Sequence, residues 1–137
     1  MRWLDTNIFV RYLTNDDPIK AQACFALFDR LDRGAEEVRT SEAVVCEVVY
    51  VLSARGHYGL ARADIRSLLS PVLALRGLRL PQKALYVRAL ELYAQIPRLD
   101  FEDALSIAHM EDEGVTELYS YDTDFDRVGG ITRVEPL

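Results

Sequence analysis

Asp5, Glu47, Asp103 and Asp122 are the side chains of this sequence whose type and placement offer chemistry. Asp5 follows the short apolar segment Trp3-Leu4 and precedes Thr6, Asn7 and a helix-like run. It therefore sits where a strand hands over to a helix, the position at which open α/β sheets place their ligands. Glu47 is the only charge in the ten residues Ala43–Leu52. A helix apolar nearly all the way round is predicted to be buried, and a lone carboxylate there is costly unless paired, metal-bound or protonated. The plainer alternative is a Glu at an exposed edge or bridged to an Arg. Asp103 falls in the first turn of a helix capped by Asp100, where unpaired amides favour an ionised carboxylate. Asp100, Glu102 and Asp103 could equally do no more than favour the helix start.

Asp122, Asp124 and Asp126 alternate after a predicted strand, but a calcium loop does not fit. Its sixth position would be Arg127 instead of Gly, and its twelfth Arg133 instead of Glu. Asp122, at the strand end, is the member placed to meet Asp5 across a sheet edge, whereas Asp124 and Asp126 read as supporting or solvated turn residues. Carboxylates gathered round one cavity repel, by about 3 kcal/mol for a pair roughly 5 Å apart at an effective dielectric of about 20. A divalent cation removes that conflict, and an all-oxygen donor set selects magnesium or manganese over zinc. His57 has no Cys or His partner nearby, and His109 lies off the helical face of Asp103. Phosphate-cradling glycine loops and nucleophile elbows are missing from the sequence.

The elements that must position these acids alternate. Strands are predicted near Trp3-Leu4, Val38–Thr40, Leu78–Leu80, Glu117–Tyr121 and Ile131–Val134. Helices are predicted from Asn7, taken as a cap, to about Leu13; from Ile19 to Leu31 on the apolar positions Ala23, Leu27, Phe28 and Leu31; and from Glu42, capped by Ser41, to Ala54. Three more run over Ala61–Ala74 with Pro71 inside, Gln82–Gln95, and from Asp100 to Glu113 before Gly114. This alternation predicts a three-layer α/β/α sandwich around a mostly parallel sheet of about five short strands, with its strand ends on one edge. With 137 residues the chain is a single domain spanning 1–137. No long apolar run or leader-like segment appears, so a cytoplasmic protein with no membrane partner is expected. Cys24 and Cys46 lack metal or redox spacing and read as reduced core residues. A net charge of −6 excludes binding through a broad basic surface. The cations are fourteen Arg and only Lys20 and Lys83, so guanidinium groups are the main means of meeting phosphate or carboxylate.

Leu4-Asp-Thr-Asn-Ile8, Thr40-Ser-Glu-Ala-Val-Val-Cys-Glu47, Asp100-Phe-Glu-Asp-Ala-Leu105 and Ser120-Tyr-Asp-Thr-Asp-Phe125 occur in that order. Together they resemble the PIN-domain ribonucleases, most closely the VapC-type toxins of toxin–antitoxin pairs, over essentially the whole chain. The resemblance implies Asp5, Glu47, Asp103 and Asp122 as a catalytic and metal-binding quartet. Asp124 would assist, with Thr6 or Ser120 supporting through hydroxyls. It also implies magnesium or manganese, an RNA substrate, a homodimer and a cognate antitoxin. The third motif offers Asp100, Glu102 and Asp103; Asp103 is the match, because it precedes Ala-Leu as the family's acid does. Arg11, one turn after Asn7, is a candidate for steering phosphate or meeting the antitoxin.

Two other classes share some of these features. Haloacid-dehalogenase-like phosphatases also place an Asp after the first strand but need a second Asp where this chain has Asn7, and receiver domains need a lysine that is absent after Lys83. A PIN-like module that only binds protein would not need all four acids.

Overall fold

A computed structural model describes residues 1–137, which divide into two compact units, Met1–Lys83 and Ala84–Leu137. In the first unit, β1 (Arg2–Trp3), β2 (Val38–Arg39) and β3 (Leu78–Arg79) form a parallel sheet in the order β1-β2-β3. Amides beyond the strands extend the ladders: Leu4 donates to the Arg39 carbonyl at 2.7 Å, and Thr40 to that of Arg79 at 3.2 Å. Because side chains alternate across a strand, Leu4, Val38, Thr40, Leu78 and Leu80 share one face, and all are buried. The opposite face presents Trp3, Arg39 and Arg79 to solvent.

Thr40 is the polar exception on the buried face. Its hydroxyl donates to the Leu4 carbonyl at 3.0 Å, fixing the end of β1 one residue before Asp5. Thr40→Val leaves that carbonyl unsatisfied, at a cost of about 1–2 kcal/mol. A melting temperature lower by roughly 3–10 °C is expected in a thermal melt.

α1 (Thr6–Thr14) buries Thr6, Phe9 and Val10. Its N-cap is Asp5; Asn7, expected as the cap, is an exposed residue inside the helix. The strand has the anticipated length but lies one residue earlier, and the helix begins as soon as the extended backbone of Asp5 ends. α2 (Pro18–Asp32) starts as expected, with Pro in the first turn and Asp17 accepting from the Lys20 amide. Its buried stripe is Ala21, Cys24, Phe28 and Leu31; Ala23 is exposed and Leu27 half-buried, so the apolar face is rotated from the anticipated one. Aromatic contacts lock α1 to α2. Tyr12 stacks on Phe28 with centroids 4.1 Å apart, and Phe9 meets Phe28 edge-on at 5.9 Å.

α3 (Glu42–Ser53) is capped by the Ser41 hydroxyl and buries Val44, Val45, Val48, Val49 and Leu52. The positions i, i+1, i+4, i+5 and i+8 form one stripe, so the helix is amphipathic despite its composition. Glu47 and Tyr50 lie on its exposed side, and the expectation that Glu47 is enclosed in a buried helix is corrected accordingly. α4 (Arg62–Leu73) accommodates Pro71 in its last turn.

The second unit contains α5 (Lys83–Gln95), whose first residue closes the first unit, and α6 (Phe101–Glu113). Tyr93 meets Phe101 edge-on, and Arg88 forks between Glu91 and both oxygens of Glu111, joining α5 to α6. Gly114 ends α6 in the left-handed conformation. β4 (Glu117–Tyr119) pairs in parallel with β5 (Thr132–Val134), and a short 3-10 helix, Thr123–Arg127, lies between them. All strand pairs are parallel, as expected of an α/β fold, but the ladders form sheets of three and two strands instead of one of five. Each strand has only two or three residues, so few ladder bonds form. β4 also stops before Tyr121, because the Ser120 carbonyl accepts from Arg133 and its hydroxyl from the Asp122 amide. No helix is long and apolar enough to cross a membrane.

Candidate active site

In the first unit two of the candidate acids are tied to the junction where β1 gives way to α1. Asp5 has extended backbone angles, an exposed side chain and no side-chain capping bond. Its carboxylate is thus not consumed by the helix it precedes. Thr6 is buried, and its hydroxyl donates to Glu47 Oε2 at 2.9 Å, joining α1 to α3. Glu47 therefore owes its orientation to the residue directly after Asp5. Arg11 is committed nearby: it donates to Asp16 Oδ1 at 2.9 Å, and Asp16 Oδ2 accepts from the Tyr58 hydroxyl. The Tyr58 and Arg11 bonds hold the Asp16 carboxyl below its ordinary range, and Asp16 in turn raises Arg11. Neither cysteine forms a disulfide, and burial pushes the Cys24 thiol up, away from reactivity.

In the second unit Asp103 is half-buried in the first turn of α6. Its carboxyl is raised above the ordinary range by burial first, then by Asp100, Asp122, Glu102 and Asp124. Burial and the neighbouring carboxylates thus act against the helix terminus, which favours the ionised form. Asp122 caps the 3-10 helix through Oδ1, which accepts from the Asp124 amide at 2.9 Å. Asp124 has Arg98 and Arg127 each at 3.8 Å. Asp126 has a structural part: with Glu135 it binds Arg133, whose side chain is only 15% exposed. Thr40 and Arg133 escaped the sequence reading. A Thr ending a predicted strand and an Arg within one were the only signals, and neither reveals a partner remote in sequence.

No group of three His, Cys, Asp or Glu side chains stands close enough to hold a metal ion. The donor chemistry nevertheless fits one: Asp103 and its neighbours are hard oxygen ligands whose mutual repulsion a divalent cation would relieve. Without metal, the raised Asp103 carboxyl favours the folded chain while protonated, below the usual aspartate pKa of about 3.9. That contribution is lost as pH rises through the higher folded value. In a chelator at neutral pH, Asp103→Asn is expected to raise the melting temperature by a few degrees at most, since solvent screens the half-buried group. Thermal melts across pH check this, and the gain should vanish in acid.

The family model for the PIN domain matches residues 3–131. The chain belongs to the PIN-domain family. PIN domains have an α/β sandwich fold and are typically metal-dependent nucleases. No curated protein matches the sequence. In this PIN domain the third motif's Asp100 and Glu102 are exposed, whereas Asp103 is half-buried, and burial and its neighbours raise its carboxyl.

Proposed function

We propose that this PIN domain is a magnesium- or manganese-dependent endoribonuclease and the toxin of a toxin–antitoxin pair, working in the cytoplasm as a homodimer held in check by a cognate antitoxin. The observation that carries the reading is the PIN-domain match over residues 3–131; the arrangement of acids within each unit supports it. Residues 1–137 act as one catalytic domain, with Asp5, Glu47, Asp103 and Asp122 as its metal-binding carboxylates. A bound divalent ion supplies polarisation of the scissile phosphate and a water of lowered pKa.

The protein's own residues do the remaining work. The Thr40 hydroxyl fixes the carbonyl before Asp5, and Thr6 holds one oxygen of Glu47, leaving the other to orient water. Ser120 and the 3-10 turn set the backbone and one oxygen of Asp122. Asp124, between two arginines, adjusts the local charge without being needed as a direct ligand. The test is cleavage of a mixed RNA pool with magnesium or manganese by the native chain and by Asp5→Asn. Equal cleavage by both defeats the site, and phosphate release from small monoesters without RNA cleavage defeats the reaction.

A further inference from the structure

The solvent face of the three-stranded sheet carries a second recognition feature. Trp3, Arg39 and Arg79 are in register across β1, β2 and β3, on backbones about 4.8 Å apart. With Met1, Glu37 and Pro81 they line an open groove of ≈ 430 Å³. Parallel sheets usually cover both faces with apolar contacts, yet here Trp3, the chain's only tryptophan, is 61% exposed. Arg39 makes no close ion pair, its charge acting on Glu37 from a distance, and Arg79 pairs only with that Glu37, itself exposed. Such an exposed pair is weak and is readily exchanged for another anion.

An aromatic face beside two guanidinium groups, on a chain of net charge −6, has a specific complement. Phosphates suit the arginines and an unpaired base suits the indole. Duplex RNA keeps its bases stacked and offers none to Trp3. An acidic peptide would use the arginines alone. A second copy docked face to face would set like charges together. We propose that this groove is a subsite for single-stranded RNA, in which Trp3 stacks on a base and Arg39 and Arg79 hold adjacent phosphates. The proposal rests on the ribonuclease reading, and it explains how an acidic nuclease gains a hold on its substrate beside the active site. Trp3 precedes Asp5 by about 7 Å of extended backbone.

The sole tryptophan makes the test direct. The full native chain, in EDTA to prevent cleavage, is titrated with a short oligouridylate while indole emission and the anisotropy of the labelled oligonucleotide are followed. Saturable quenching parallel to the anisotropy is expected. Arg39→Ala with Arg79→Ala should weaken binding about 10-fold and reduce the salt slope by roughly 1–2. Trp3→Leu should also weaken it about 10-fold. RNA binding with unchanged emission, or no binding at all, overturns the subsite. Equal quenching by polyglutamate, or on raising the protein concentration alone, reassigns the groove and also overturns it. Metal-dependent cleavage of the RNA pool is scored separately: quenching without cleavage defeats the nuclease reading alone, and cleavage without quenching defeats the subsite alone.

Discussion

Asp5→Asn is expected to lower metal-dependent RNA cleavage by about 10³-fold or more while leaving the fold intact. The substitution keeps the shape of the side chain and removes the charge that a hard cation requires. Metal catalysis supplies several kcal/mol of transition-state stabilisation, and each loss of about 1.36 kcal/mol is tenfold in rate. The fold should tolerate the change because Asp5 is exposed and caps α1 through backbone geometry alone. A surface substitution of this kind changes stability by about 0.5 kcal/mol or less. Initial rates with magnesium and with manganese, alongside thermal melts, check both halves of the expectation. Comparable rates, or a fall in melting temperature large enough to explain the lost activity, would defeat the assignment.

The largest stability effect is expected at Gly77, which is not one of the candidate site residues. Its amide donates to the Leu31 carbonyl and its carbonyl accepts from the Val38 amide, both at 2.8 Å, so the approach to β3 is pinned between the end of α2 and the start of β2. A Cβ added there would lie 2.1 Å from the Glu36 carbonyl oxygen and 3.0 Å from Leu31 Cα. Both obstacles are backbone, and the hydrogen bonds that hold them cannot relax independently. Gly77→Ala should therefore cost about 3 kcal/mol or more and lower the melting temperature by roughly 10 °C. Gly34 is a useful contrast. Its φ of +70° favours glycine, but an added Cβ meets only the Arg76 side chain at 3.9 Å. Gly34→Ala should cost about 1 kcal/mol. Urea unfolding of the two variants side by side separates steric exclusion from backbone strain, and equal losses would refute the distinction.

Local patterns carried much of this structure. Ser41 caps α3, Pro18 opens α2 and Gly114 closes α6 because each signal acts on its own turn. What needed distant residues was less legible. The ten-residue apolar run around Glu47 gave no sign that one side would stay open, since Ala43 and Tyr50 on that side are apolar by type yet exposed. The Asp103 carboxyl is raised by burial first and then by neighbours that include Asp122 and Asp124, and neither its burial nor those two partners can be read from the helix start. Asp5 was marked by its place between strand and helix, but the Thr6 hydroxyl that orients Glu47 spans 41 positions and has no signature. The exposed sheet face was hidden for a related reason. Trp3, Arg39 and Arg79 become neighbours only through strand register.

The order of strands in the first unit bears on how the chain is born. β1, β2 and β3 are neighbours in space as they are in sequence, so each arriving strand adds to the open edge left by the last. No strand must be threaded between two already paired. A ribosome elongating at roughly 5–20 residues per second therefore releases the segment through Lys83 with its sheet already able to close. Asp5, Thr6 and Glu47 can be anchored while the second unit is still being synthesised, so two of the four proposed metal-binding acids are placed before the other two exist.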